Sequence, residues 1–146
     1  GFTAVRFCEM NENYDLQHHN IREENGTKFG DLPEFVDYEY ARKITCVNLA
    51  VLSNLALAPA APQSVGVVVS GMTNSSTLKW KAPQGKIPRG YFVMMRETYQ
   101  PLWEKKFFTD KTEITLPFSK DNYFFAVQSV DEDGHERLPV WPVPVR

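Results

Sequence analysis

The chain has 146 residues and a formal net charge of −2, with 42% hydrophobic and 23% charged residues. This composition suits a folded chain of one ordinary domain or two small ones. Domains that work by neutralising phosphates usually carry a clear basic excess, which is absent here. The chain also contains no apolar run of 18 residues and no recognisable secretory leader. We therefore expect neither a nucleic-acid partner nor a membrane span.

Charge and pattern divide the chain into two parts. Residues 1–58 carry five Lys or Arg and nine Asp or Glu, whereas residues 59–146 carry eleven and nine. Between the parts, Pro59 and Pro62 disfavour helix and fix an extended path. We predict a first segment over residues 1–58, a Pro/Ala linker over 59–63 and a β-rich domain over 64–146.

The first segment predicts a strand, a long loop and a helix. Residues 2–8 are β-prone, residues 9–36 lack clear periodicity and contain several turn-forming residues, and residues 37–57 predict a helix. The second half of this helix is apolar on almost every side, which is typical of a helix covered by other protein. It therefore indicates either further chain around it or self-association, and we expect a homodimer through this helix.

The chain has two cysteines, Cys8 and Cys46, which are too few for a disulfide framework. We expect them to be small buried thiols, and a disulfide between them is the alternative. Because the chain starts at Gly1 rather than at a methionine, we expect it to be a piece of a longer protein.

The second part predicts an all-β sandwich. Short β-type runs with turn signals between them fall at residues 65–69, 77–81, 91–96, 104–109, 113–116, 123–130 and 139–145. About seven short strands in such a length are typical of immunoglobulin-like sandwiches. Leu78-Lys79-Trp80 followed by Pro83, the alternation over residues 123–127, and Leu116 shortly before it resemble a fibronectin type III domain.

Three histidines are candidates for chemistry: His18, His19 and His135. Neighbouring residues on a strand point to opposite faces, so His18 and His19 cannot easily bind one ion together. His135 follows Gly134 in a turn, and we expect it to be an ordinary surface residue. Spacing alone therefore predicts no metal site.

The first segment nevertheless resembles the C-terminal end of the catalytic domain of aminopeptidases that use two zinc ions, of the bacterial leucyl aminopeptidase and aminopeptidase Y type. A fibronectin-like domain after the catalytic domain is also familiar in such enzymes. The residues that carry the resemblance are Gly1-Phe2-Thr3-Ala4-Val5-Arg6-Phe7 with Glu9, Glu12-Asn13-Tyr14 with Gln17-His18, Arg22, Asn25-Gly26, and residues 31–38.

This resemblance implies a mixed fold, in which the remnant of an α/β zinc-exopeptidase domain precedes an all-β fibronectin type III-like sandwich. It implies that His18 is a zinc ligand, with His19 as the alternative, and that Tyr14 borders the substrate pocket. The catalytic residues and the other ligands of the two zinc ions would lie in an N-terminal segment outside this chain. We accordingly expect a secreted or periplasmic enzyme acting on peptides, and a fragment that alone binds no zinc and has no activity.

Two other functions remain open from the sequence. The sandwich could be a binding or attachment module whose contacts are Trp103, Phe107 and Phe108, with residues 1–58 as a stalk. A transferase of the glutaminyl-cyclase type on the same catalytic fold is the third hypothesis.

Overall fold

The computed structural model describes residues 4–146. Within that range the chain is mostly β-structure, with one α-helix and nine short strands. It packs as two compact units, of which one extends to Val51 and the other is Leu52–Arg146. The domain bounds predicted from the sequence stay a prediction.

The strand predicted over residues 2–8 is wrong for its described part, since residues 4–8 have no regular secondary structure. Residues 2 and 3 lie outside the described residues. A strand needs a neighbour to pair its backbone N–H and C=O groups. Val5 and Phe7 are exposed, as is expected for a segment without such a neighbour.

The segment predicted as a loop contains short elements of structure. Two 3₁₀ turns, Tyr14–Leu16 and Pro33–Phe35, flank a hairpin of strands β1 (Arg22–Glu24) and β2 (Thr27–Phe29). The two residues between the strands, an asparagine and a glycine, have φ values of 51° and 78°. Positive φ at both positions is what a tight hairpin turn requires, and Asn-Gly is the pair that adopts it most readily.

Helix α1 (Tyr38–Leu57) confirms the predicted helix. Asp37 caps its start, because its Oδ1 accepts the N–H of Tyr40 at 2.9 Å. The side chains of α1 are not buried, and several large apolar ones are exposed. None of the helices in residues 4–146 is long and apolar enough to cross a membrane.

Both cysteines are free and exposed, so the expectation of buried thiols is wrong. Cys46 lies on α1, which has no buried side chain, and Cys8 lies in the unpaired segment before it. Neither position is enclosed by apolar neighbours as in a core.

The second unit contains all seven predicted strands. They are β3 (Gln63–Val68), β4 (Ser76–Lys81), β5 (Gly90–Glu97), β6 (Lys105–Thr109), β7 (Glu113–Leu116), β8 (Tyr123–Val130) and β9 (Val143–Val145). Among the described residues they form a four-stranded sheet in the order β7-β4-β3-β9 and a three-stranded sheet in the order β6-β5-β8.

The last strand is shorter than predicted because it changes sheets. Val140 pairs with Val127 of β8, and the chain then moves to the other sheet, where Val143 pairs in parallel with Gly66 of β3. A Cβ on Gly66 would lie 2.8 Å from a methyl carbon of Val145. The absence of a side chain at position 66 therefore lets β9 approach β3.

Alternate residues of both sheets meet in one core. Tyr91, Val93 and Met95 of β5 point inward with Phe125 and Val127 of β8. The facing sheet contributes its own buried residues to the same cluster: Val65, Leu78, Trp80 and Leu116. A core shared between two sheets confirms the predicted β-sandwich.

Candidate functional site

His18 lies between the first 3₁₀ turn and β1, and it is exposed. Its φ of 59° is in the left-handed region, which is uncommon for a residue other than glycine. Its N–H donates to Oδ1 of Asp31 at 3.2 Å, across a separation of 13 residues. Asp31 therefore holds the backbone of His18 in place. The imidazole itself is exposed to solvent.

The neighbouring His19 differs in one respect. Its ring packs edge-on against Phe29 of β2, with the ring centroids 6.3 Å apart. The two histidines therefore differ in their contacts, because within the described residues only His19 packs against an aromatic ring.

The described residues do not complete a zinc site around His18. Zinc takes about four ligands, usually from Cys, His, Asp and Glu. In residues 4–146 the one group of three or more such donors is formed by Asp131, Asp133 and His135, whose ligand atoms lie within 4.8 Å of one another. His18 is not part of it. At His18 the described residues bring together fewer than three such donors, which is too few to hold a zinc ion.

Tyr14 begins the 3₁₀ turn just before His18 and is 64% exposed. Hydrogen bonding to Glu12, together with the charge of that carboxylate, raises the pKa of the Tyr14 phenol. A cleft of about 530 Å³ opens next to this turn and is lined by Asn13, Gln17 and residues of the helix start. Neither Tyr14 nor His18 lines this cleft, so the two predicted site residues do not share it.

The group around Asp131 is a hydrogen-bonded turn. Asp131 follows β8, is 3% exposed, and accepts the N–H groups of Asp133 at 3.1 Å and His135 at 2.9 Å. Its carboxylate also contacts Nδ1 of His135 at 3.1 and 3.2 Å and the ammonium of Lys86 at 3.2 Å. These oxygens already have partners, so the turn is a poor site for a cation. His135 has a structural contact there that the sequence analysis did not predict.

The same contacts make the stability of the sandwich depend on pH. Burial alone would raise the pKa of Asp131, but hydrogen bonds from His135 and the Lys86 ammonium hold it well below its usual value. Because the pKa in the folded state is the lower one, ionised Asp131 stabilises the fold fully above about pH 4. That contribution is lost as the pH falls further. We expect Asp131→Asn to remove it, so that the thermal midpoints of wild type and variant converge in acid.

Thermal melts followed by circular dichroism between pH 7 and pH 2 measure this. Asp110→Asn, at an exposed position in the turn after β6, is the matched control and should follow the wild type at every pH. Midpoints of Asp131→Asn that stay a constant interval below the wild type down to pH 2 would contradict the role given to this carboxylate.

The aromatic residues proposed as binding contacts have different surroundings. Phe107 packs against the core, whereas Phe108 is 48% exposed. The indoles of Trp103 and Trp141 are in contact, with centroids 5.2 Å apart and planes tilted by 41°, and the guanidinium of Arg96 lies over both, at 5.6 and 5.8 Å. Cations over ring faces stabilise the surface itself.

Comparison with known proteins extends these observations. No family model matches the chain. It is 41% identical over 145 residues to a protein of Leptosphaeria maculans named "probable zinc metalloprotease", covering 99% of this chain and 34% of that protein. A protein of the same name from Pyricularia oryzae is 38% identical over 147 residues, covering 97% of this chain and 29% of that protein. The chain thus spans about a third of the length of the curated relatives it matches.

Solved structures show a likeness at low sequence identity. An Fn3-like protein from Clostridium thermocellum is 22% identical, with a TM-score of 0.47, and the match covers 61% of this chain and 96% of that one. The fn3 domain of human collagen alpha-1(XX) is 15% identical, with a TM-score of 0.44, covering 62% and 90%. The two-sheet arrangement described above rests on the strand pairing of this chain itself.

Proposed function

We propose that this chain is the C-terminal part of a zinc metallopeptidase, specifically an aminopeptidase that releases N-terminal residues from peptides. The observation that carries the proposal is the 41% identity over 145 residues to a named probable zinc metalloprotease of which the match covers 34%. The refinement to an aminopeptidase rests on the resemblance of Glu12-Asn13-Tyr14 and Gln17-His18 to the end of a two-zinc catalytic domain.

In this proposal His18 is one zinc ligand, and the other donors come from the part of the protein that precedes this chain. The exposed imidazole and the bond that fixes its backbone to Asp31 support that role. The contact of His19 with Phe29 makes the neighbouring ring the weaker candidate. In the intact enzyme, bound zinc would polarise the scissile carbonyl and activate a water molecule. Tyr14, exposed four residues earlier, borders the substrate pocket.

The proposal includes the wider setting inferred from the sequence. The intact enzyme holds two zinc ions, acts on peptides and is secreted or periplasmic, whereas the chain alone is inactive. The exposed apolar side chains of α1 support association with other protein, either the preceding segment or a second copy. The large aliphatic ones are Val47, Leu49, Val51, Leu52 and Leu57.

Hydrolysis of aminoacyl-p-nitroanilides tests the function. We expect the full-length protein to cleave them, a zinc chelator to abolish cleavage, and the purified 146-residue chain to give no turnover. The physical reason is that one imidazole supplies too few ligands to hold a catalytic metal.

The possible outcomes separate the parts of the proposal. Chelator-sensitive cleavage by the 146-residue chain would overturn the statement that it is inactive. A full-length protein that cleaves internal peptide bonds but no N-terminal ones would overturn the aminopeptidase refinement and leave a metallopeptidase. Cyclisation of N-terminal glutamine in place of hydrolysis would identify the transferase alternative.

The alternative of a binding module is less well supported. Of its three proposed contacts, Phe107 packs against the core and Trp103 lies under the guanidinium of Arg96. Phe108 is exposed, but the guanidinium of Arg89 lies 5.4 Å from its ring centroid. One of the three rings thus packs against the core, and a cation lies near a face of each of the other two.

A further inference from the structure

The last turn of α1 is joined to the sandwich by the side chain of Asn54. Its Nδ2 donates to the carbonyl oxygen of Glu136 at 3.0 Å, and its Oδ1 accepts the N–H of Glu136 at 3.3 Å. A carboxamide that bonds both backbone groups of one residue substitutes for the peptide group of a neighbouring strand. This pairing also gives a structural role to Asn54, which with Ser53 is one of two polar residues in the run 49–57.

A second contact satisfies the end of the same helix. The last four carbonyl groups of a helix lack partners within it, and a cation near them is favourable. Nη1 of Arg137 lies 3.5 Å from the carbonyl oxygen of Leu55, one of these four. Arg137 directly follows Glu136, so two consecutive residues of the sandwich hold two consecutive residues of the helix.

The segment predicted as a linker is also anchored. The hydroxyl of Ser129, which is fully buried in β8, donates to the carbonyl of Ala60 at 2.6 Å. Pro59 and Pro62 are buried as well. Residues 59–63 therefore make contacts within the unit Leu52–Arg146.

Glu136, whose backbone bonds Asn54, is itself held in place by further contacts. Glu136 forms a β-bridge with Val130, and its carboxylate pairs with the ammonium of Lys106 at 2.6 Å and with the amide of Gln128. Glu136 is thus tied to both β6 and β8. A helix end bonded to such a residue is attached to the sheet and not to a mobile loop tip.

We propose that Asn54 is a latch that fixes the end of α1 to the sandwich, so that the sandwich braces the last turn of this helix and residues 59–63 do not act as a hinge. The partner surface is the backbone of Glu136 together with the guanidinium of Arg137, and the partner is the helix end of the same chain. This role for the sandwich is independent of the peptidase proposal, because it requires neither zinc nor substrate.

Limited proteolysis of the complete 146-residue chain tests the latch. Chymotrypsin cleaves after leucine, and Leu57 is exposed, but cleavage requires the local backbone to open. We expect Asn54→Ala to raise the rate of cleavage after Leu57 about tenfold, because it leaves the backbone groups of Glu136 without partners. Hydrogen exchange should accelerate by a similar factor in residues 55–62 and at Glu136.

Asn48→Ala is the matched control. Asn48 lies on the same helix, and its amide donates only within it, to the carbonyl of Ile44 at 2.8 Å. This variant should keep the wild-type rates at residues 55–62. Equal rates for Asn54→Ala and Asn48→Ala would overturn the proposal.

A second variant covers the case in which Asn54→Ala unfolds the whole sandwich. Arg137→Gln removes the cation at Leu55 and leaves the pairing of Asn54 with Glu136 in place. It should accelerate exchange in residues 55–58 by a smaller factor, while the core amides of β5 and β8 stay protected. Wild-type exchange in residues 55–58 of Arg137→Gln would likewise contradict a fixed helix end.

Discussion

Replacing Leu78 by alanine is expected to lower the free energy of unfolding of the sandwich by about 3 kcal/mol. Leu78 is 0% exposed and lies in the middle of β4, where it belongs to the core cluster that both sheets share. Removing its side chain loses buried apolar contacts and leaves a cavity that neighbouring strands cannot close without breaking their pairing. Urea denaturation followed by tryptophan fluorescence measures the loss, because Trp80 is in the same cluster.

Leu102→Ala is the control for this change. Leu102 is 76% exposed in the connection between β5 and β6, so the same substitution there should alter stability by less than about 0.5 kcal/mol. If the two variants unfolded at the same urea concentration, the two sheets could not share the core described above.

The second large effect is expected on activity. In a full-length protein containing this chain, His18→Ala should reduce kcat/KM for an aminoacyl substrate by at least about 100-fold. Loss of residues that merely orient zinc ligands costs about 10- to 100-fold, and a ligand itself should cost no less. The variant should fold normally, because the His18 side chain is exposed and its backbone bond to Asp31 is retained.

His19→Ala is the matched control and should keep most of the activity, since its ring contacts Phe29 in the hairpin. The reverse result, with His19→Ala inactive and His18→Ala active, would move the ligand to the neighbouring residue. Full activity in both variants would remove this loop from the proposed metal site.

The sandwich could be predicted from the sequence because the signals for its strands and turns lie in short, continuous segments. Alternation over residues 91–95 and 123–127 places one face of each strand in the core, and turn-forming residues separate the strands. The helix could also be predicted, because a long segment with helical character follows Asp37. What periodicity does not contain is pairing between distant strands, so the change of sheet between Val140 and Val143 was not predicted.

The first segment was less predictable for a related reason. A β-prone run such as residues 4–8 forms a strand only when a neighbour supplies hydrogen bonds, and no strand in the described residues does so. The Asn25-Gly26 pair is a local signal for a hairpin turn, but the residues around it lack the alternation that predicts strands.

In the candidate site, too, local features could be predicted and contacts between distant residues could not. His18 was identified by resemblance, whereas its bond to Asp31 joins residues 13 positions apart and could not be inferred from spacing. The contacts of Asp131 and Asn54 also depend on tertiary structure. In the sequence, Asp131 is one of several acidic residues in a turn, and Asn54 is a polar residue in the mainly apolar second half of a helix. Both patterns are common in residues that have no structural role.

The zinc content of the full-length protein and of its His18→Ala variant, measured by mass spectrometry after dialysis, tests most directly whether this chain completes a metal centre. We expect bound zinc in the full-length protein and a clear loss of it in the variant, with the His19→Ala protein unchanged. Equal zinc in all three proteins, or a full-length protein that is active without zinc, would contradict the assignment of His18 as a ligand.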